Sequence, residues 1–485
     1  MSGGAPSVLD FAVIVIYLAG VTLWGAWLGR GQTGGRDYFL GRRSLPWGAV
    51  MLSVVATETS TLTFLSIPGV AYLGALGFLQ LTFGYLIGRI AVAAALLPAY
   101  YRGELATAYQ MLESRFGLGT RRFTSAIFMV TRLLADSVRL FATAIPLALV
   151  TGWPYPVSIV VIGVLTVIYT YVGGIKAVIW VDAVQMGLYL IGAIAAVVAL
   201  QLLVPGGWPA ILASAGGAGK LALLDFSFDT GIAYTFWAGL LGGAFLSMAS
   251  HGTDQLIVQR LLTCRDLRAS QRALVASGVA VIFQFALFLA IGLGLWAFFA
   301  GRSFERADEI FARFIVEELP RGLTGLLVAG IFAAAMSSLS SSINSLASAS
   351  AYDFWAPARR IVGDDSRTLR VGRSFTLLWA ALLVGGALLF IPLSRGTTAV
   401  EVALGIASLV YGGLLGVFAL ALFVPAARAR DAVIAISVGI LAVVGVWIFA
   451  RAEVAWPWYV FVGTLLTFGV GAGLSAFRSP QPSGA

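Results

Sequence analysis

Runs of about twenty apolar residues recur from one end of this 485-residue chain to the other, and they constrain its fold more than any other feature. A helix of about 20 such residues crosses the hydrocarbon core of a bilayer. Inside that core the backbone must satisfy its own hydrogen bonds. Thirteen segments qualify, at about 8–28, 46–73, 76–100, 122–151, 156–174, 178–203, 231–251, 271–300, 322–351, 373–393, 398–424, 432–450 and 457–477. The chain therefore reads as an all-α polytopic membrane protein with about 13 transmembrane helices and membrane lipid as its solvent. Its 1–485 span reads as a single transmembrane domain. Composition agrees: 59% of residues are hydrophobic and 11% charged, against about 25% charged in soluble domains. A soluble enzyme, a disordered chain and a disulfide scaffold are excluded. Cys264 is the sole cysteine and His251 the sole histidine, so neither an intrachain disulfide nor a histidine-based metal cluster can form. The first segment starts near Asp10 with no basic stretch ahead of it, which predicts a retained helix and not a signal peptide.

The net charge of +9 has an orientation in it. Taken alternately, one set of loops carries 21 basic residues, among them Arg30, Arg42, Arg43, Arg115, Arg121, Lys176, Arg260, Arg268, Arg359, Arg360, Arg428 and Arg478. The other set carries seven: Lys220, Arg302, Arg306, Arg313, Arg321, Arg395 and Arg451. Arg89, Arg132 and Arg139 fall inside spans. Basic loops stay in the cytoplasm, which predicts an external N-terminus and a cytoplasmic C-terminus in a cell (plasma or inner) membrane. The charge is explained without nucleic acid as a partner. The 301–321 loop has apolar Ile310, Phe311, Phe314 and Ile315 at helical spacing and predicts a short amphipathic helix on the outer surface. The 204–230 loop, rich in Gly and Ala, carries no legible chemistry.

Polar groups inside a span are costly and point to function. Four places carry them. In the second span, six of the seven residues from Thr57 to Thr63 are polar, Glu58 among them. A helix broken at mid-membrane would free carbonyls to hold a cation; a wet seam of hydroxyl residues is the alternative. In the ninth span, Ser337, Ser340 and Ser341 share one face, and Ser338, Ser341 and Ser345 form an adjacent stripe. Neutral oxygens suit a small monovalent cation, and close packing of small side chains is the other reading. Third, Asp182 lies a turn inside the cytoplasmic end of its span, able to balance a cation or to pair with Lys176. Fourth, Arg132, Asp136 and Arg139 share one face of span four. Asp136 can neutralise one arginine and leave a formal +1. The cluster is either structural or a holder for an anionic group on a solute, with Arg89 and Glu401 as further members. No Gly-rich loop followed by Lys-Ser/Thr is present for an ATP-driven pump, and no catalytic constellation is visible, so an enzyme is not expected.

These segments match a known pattern. Asp37 to Trp47 precedes span two, Gly173 to Asp182 opens span six, Gly252-Thr253-Asp254-Gln255 with Gln259-Arg260 follows span seven, and a serine-rich stretch runs from Ala334 to Asn344. From Asp37 to Trp355 the chain resembles the sodium:solute symporter family, which includes sodium/sugar, sodium/proline, sodium/pantothenate and sodium/sialic acid carriers. The resemblance implies a leucine-transporter-like 5+5 inverted repeat with one leading helix (8–28) and two trailing helices (432–477). The repeats would be 46–203 and 231–424, each opened by a discontinuous helix. It also implies a first sodium site of the Ala56, Thr59 and Ala334 carbonyls with the Ser337 and Ser338 hydroxyls. A second would use Asp182, Ser337, Ser340 and Ser341. Solute contacts by analogy are Glu58, Ser60, Thr63 and Gln80, with Phe83 or Tyr85 as gates and Arg132 or Arg139 for an anionic group. Glu58 departs from the amide or hydroxyl found in several sugar and sialic acid carriers. The implied function is sodium-coupled symport of a small polar organic solute into the cell by alternating access. A proton-coupled or exchange carrier using Glu58 or Asp182 is one alternative, and a solute-binding membrane sensor or scaffold is another.

Overall fold

A computed structural model describes residues 7–103, 105–304, 307–359, 366–391 and 399–477. Among them the regular elements are all helices. In chain order these are α1 (Val8–Leu28), α2 (Gly35–Leu40), α3 (Trp47–Glu58), α4 (Thr61–Leu73), α5 (Leu79–Arg102), α6 (Gln110–Thr151), α7 (Tyr155–Leu203) and α8 (Gly207–Gly217). After a π-helical turn at Ala238–Gly242 come α9 (Gly243–Gly252), α10 (Gln255–Leu261), α11 (Leu267–Phe298), α12 (Ala307–Glu317) and α13 (Leu323–Ala349). A second π-helical turn, Ser350–Trp355, leads to α14 (Ala356–Ala358), α15 (Ser366–Phe390), α16 (Ala399–Phe423), α17 (Ala429–Phe449) and α18 (Trp458–Ala476). Arg306, Arg360, Arg395 and Arg478 of the charge count, and the side chain of Glu401, lie outside what is described.

Nine helices among the described residues are long and apolar enough to cross a membrane, and α3 with α4 makes ten if the bent pair is one span. Thirteen were expected, and the difference has physical causes. The fourth segment lies within the 42-residue α6, which is broken at Gly117 (φ 82°, ψ 171°). The fifth and sixth segments run on as the 49-residue α7, kinked at Gly174 (φ 52°, ψ −154°). The seventh is divided between the π-helical turn and the ten-residue α9.

At the centre lies α13, in which almost every residue from Thr324 to Ala349 is buried. Its Ala, Ser and Gly side chains let neighbours approach closely, and α1, α3, α4, α6, α7 and α15 all pack on it. The α16–α18 group packs together and leans on α6. α12 buries Ile310, Phe311, Phe314 and Ile315 and packs against the half-helix α4, so the amphipathic helix expected at 301–321 is present and docked. The 204–230 segment is more structured than its composition promised. It contains α8, and buried Lys220 donates to the Tyr72 (2.6 Å) and Gly74 (3.1 Å) carbonyls at the end of α4.

Candidate functional site

The polar run from Thr57 to Thr63 interrupts its helix, and local hydrogen bonds explain how. Glu58 ends α3, Thr59 leaves helical geometry (φ −82°, ψ 81°), and α3 and α4 meet at 59°. The Ser60 amide turns to the Glu58 carbonyl at 3.0 Å instead of continuing the ladder to Ala56. The Ser60 side chain then caps α4 by accepting from the Thr63 amide at 3.4 Å. The Thr59 hydroxyl donates to the Val55 carbonyl (2.8 Å) and accepts from Gln284 on α11 (2.6 Å). Short hydroxyl side chains that bond their own backbone compete with helix at this point, and the Ala56 carbonyl is released from the ladder.

The break faces the serine run of α13. On one side of it the Thr57 and Ser341 hydroxyls lie 3.2 Å apart, and on the other the Thr61 hydroxyl donates to the Ile331 carbonyl at 3.2 Å. Those two contacts bracket about 15 Å of α13, and within it sit Ala334, Ser337 and Ser338. The Ser337 hydroxyl donates to Asp182 Oδ1 at 2.7 Å, which turns its oxygen lone pairs away from the carboxylate. Ser340 and Ser341 donate back to the Ser337 carbonyl at 3.0 and 2.6 Å, and Ser342 to the Ser338 carbonyl at 3.0 Å. The Ser338 hydroxyl is different: it is buried and has no hydrogen-bond partner. A buried hydroxyl oxygen with no partner keeps its lone pairs free for a ligand. A released carbonyl and an orphaned hydroxyl across a helix break are the donor set a small hard cation requires.

Asp182 is fully buried, and its partner is Arg260 of α10 and not Lys176, which is exposed. Arg260 Nη2 lies 3.2 Å from Asp182 Oδ2, which also accepts from the Ser53 hydroxyl at 2.6 Å.

On the other side of the break Glu58 forms an ion pair with Arg89 of α5, which also donates to Ser277 on α11 at 2.8 Å. Arg89 is fully buried, whereas a fifth of the Glu58 side chain is exposed, so the pair is accessible from the glutamate side. His251, not foreseen from the sequence as a site residue, places Nε2 3.7 Å from Glu58 Oε2 with no hydrogen-bond partner of its own. Half-buried Thr63 and Phe83 lie on the two elements that follow Glu58 and carry Arg89. Gln80 is committed elsewhere: it donates to the Gly77 and Tyr234 carbonyls (3.1 and 3.0 Å) and accepts from the Asp225 amide (3.1 Å). It pins the loop that carries Asp225 and Tyr234. In that exposed loop the Ser227 amide holds the Asp225 carboxyl below its usual range.

The arginine cluster of α6 corrects one expectation. No formal +1 remains, because Asp254 supplies a second carboxylate. Arg132 Nε donates to Asp254 Oδ2 at 3.0 Å and the same guanidinium bonds the Tyr411 hydroxyl. Arg132 Nη1 and Arg139 Nη1 share Asp136 Oδ1 at 3.4 and 3.1 Å, and Ser342 donates to Asp136 Oδ2 at 2.5 Å. Arg132 is buried inside this network, and only Arg139 is partly open.

A family model described as "Sodium:solute symporter family" matches residues 38–439. The chain belongs to the sodium:solute symporter family. Among curated relatives, the sodium-coupled monocarboxylate transporter 1 of Homo sapiens is 28% identical over 92% of this chain and 73% of its own length. The sodium/sialic acid symporter SiaT of Proteus mirabilis is 29% identical over 90% of this chain and 88% of its own. A solved Na+-coupled sialic acid symporter in a substrate-bound, outward-open state is 28% identical, covers 98% of this chain and 99% of its own, and superposes with a TM-score of 0.89. This symporter is thus a multi-span membrane transporter and not an enzyme, and Na+ is its coupling ion.

Proposed function

We propose that this symporter carries one small polar organic solute inward with sodium held at the α3–α4 break. The ligands are the Ala56, Thr59 and Ala334 carbonyls and the Ser337 and Ser338 hydroxyls. The observation that carries the reading is the orphaned Ser338 hydroxyl opposite the broken helix. Sodium at that point ties α3 to α13 and fixes the break, so Ser60, Thr63 and Glu58 are ordered before the solute arrives. The favourable coupling is reciprocal: the solute raises sodium affinity by the same factor. One charge moved through about 100 mV releases about 2.3 kcal/mol, enough for nearly two decades of accumulation of a neutral solute.

The solute site is the space beside the break, lined by Glu58, Ser60, Thr63, Phe83, Tyr85 and His251. Glu58 is neutralised by Arg89 and accepts hydrogen bonds from solute hydroxyls or amines on its open side. Arg139 is the arginine of its cluster with guanidinium surface to offer an anionic group, and relatives named for monocarboxylates and sialic acid favour a carboxylated solute. Counting α7 as two spans and α6 and α9 as one each, this reading has thirteen spans that divide as 1+10+2, with inverted repeats at 46–203 and 231–424 that rock against each other around the site. The N-terminus is outside and the C-terminus in the cytoplasm of the inner membrane.

Uptake into proteoliposomes tests this. With an inward sodium gradient, at least one radiolabelled acid from a panel of short monocarboxylates, hydroxy acids and sialic acid should accumulate. Accumulation driven equally well by a proton gradient in sodium-free buffer would contradict the account.

A further inference from the structure

The segment from Asp254 to Arg260 is fully buried although four of its seven side chains are polar or charged. Each of those four is tied to a different part of the bundle. Asp254 pairs with Arg132 on α6, Gln255 accepts from the Ala108 amide at 2.8 Å, Gln259 donates to Asn344 on α13 at 2.6 Å, and Arg260 reaches Asp182 on α7. This short helix is therefore anchored on every side, and Arg260 is delivered by a rigid element.

We infer that Arg260 is a tethered cation occupying the position where the Asp182, Ser337, Ser340 and Ser341 set would otherwise take a second sodium, so that this carrier moves one sodium per cycle. The inference rests on the sodium reading of the Ser337–Ser338 site and sets its stoichiometry. Four of the five guanidinium N–H groups are engaged where it lies. Nε donates to Ser53 Oγ at 2.9 Å, Nη1 to the Leu256 carbonyl at 2.6 Å, and Nη2 to Asp182 Oδ2 at 3.2 Å and to the Ser341 hydroxyl. The Asp182 carboxylate is committed too: Oδ1 accepts from Ser337 (2.7 Å) and Oδ2 from Ser53 (2.6 Å) and Arg260, and the Ser341 oxygen accepts from the same guanidinium. Arg260 and Asp182 both have 0% side-chain exposure, and together they are electrically neutral. A second sodium would bring an unbalanced charge into a buried, already compensated pair, where desolvation is not repaid. Tyr17, Gln185 and Tyr189 add polar atoms to this region but no charge, so they leave that balance unchanged. A planar fork with five donors holds such a position in a way sodium cannot, because it cannot dissociate.

The test needs sodium alone. The thermal midpoint of the purified full-length protein is followed against NaCl, with choline chloride holding ionic strength constant, for wild type, Arg260→Gln and the charge-balanced pair Asp182→Asn/Arg260→Gln. Wild type should titrate with a Hill slope of about one. The double variant, whose side-chain amide carbonyl at position 182 would still accept from Ser337, should keep the sodium midpoint within about twofold. Arg260→Gln alone exposes a bare buried carboxylate and should recruit sodium to it, with a slope approaching about two. The inference is overturned if the double variant loses about tenfold or more in sodium affinity, if the wild-type slope is near two, or if Arg260→Gln titrates like wild type. Should Arg260→Gln fail to fold, the wild-type slope and the double variant decide the question. Ser338→Ala separates the two readings. If it keeps the wild-type sodium response, the Ser337–Ser338 site fails; if it loses the response while the double variant also loses affinity, only the stoichiometry fails. A wild type with no sodium response removes both.

Discussion

At the level of single residues, the charges inside this membrane protein sort by whether they are compensated. Arg132 is held by Asp254, Asp182 by Arg260, and Arg121 by Asp353 and Glu113, with both partners buried in every pair but the last. The Glu58–Arg89 pair, like Arg121–Glu113, has its acid open on one side, and it lies at the helix break. Removing the arginine strands the carboxylate: Arg89→Gln should lower stability by on the order of 3 kcal/mol, and Glu58→Gln/Arg89→Gln should regain part of that loss. Thermal unfolding of the purified variants reads this directly, and equal losses in the single and double variants would refute the pairing. The sequence showed which residues were expensive to bury but not with whom they pair. Arg132 and Asp254 are 122 positions apart and Asp182 and Arg260 are 78 apart, distances at which partner choice is made by helix packing and not by local spacing. Asp136, three and four positions from its arginines, was readable for the opposite reason.

Among the elements, the broken helix was the most legible. A dense run of hydroxyl side chains with one carboxylate has no reason to persist in an unbroken apolar span, and Ser60 is a natural cap for the half-helix that follows. Of the α13 serines, Ser341 meets Thr57 at the break, whereas Ser337 turns to Asp182 and Ser342 to Asp136, a division that spacing alone does not give. The loop after α8 was not legible in the same way, because the Lys220 anchor on α4 and the Gln80 pin join residues far apart in sequence and leave no local signature. The kink of α7 carries its own test. Gly174 has φ +52°, and an added Cβ would lie 2.4 Å from the Tyr38 carbonyl oxygen, whereas a Cβ on Gly187 meets nothing within 4 Å. Gly174→Ala should therefore destabilise by about 2 kcal/mol or more, the usual cost of strain plus a clash, and Gly187→Ala should change stability little. Comparable melting temperatures for the two variants would mean that the kink is not a fixed feature of the fold.

For the whole molecule, charge asymmetry and architecture make a joint prediction about sidedness. The sole native cysteine, Cys264, is buried, so single introduced cysteines give a clean background. In intact cells Arg302→Cys should react with a membrane-impermeant maleimide, and Arg268→Cys should react only after permeabilisation; the reverse pattern would invert the proposed topology. Coupling depends on the bundle as a unit, because the half-helices α3 and α4 meet the central α13 from the two sides of the break, and α13 in turn touches α1, α6, α7 and α15. On the proposed reading, sodium bridging α3 to α13 would bias how the surrounding helices rock. The most direct measurement is sodium affinity, from sodium-dependent thermal stabilisation, in Ser338→Ala beside Ser342→Ala. The account predicts that Ser338→Ala weakens sodium about tenfold or more, close to 1.4 kcal/mol, while Ser342→Ala, whose hydroxyl serves Asp136, leaves it nearly unchanged. Equal sodium affinity in Ser338→Ala and wild type would contradict it.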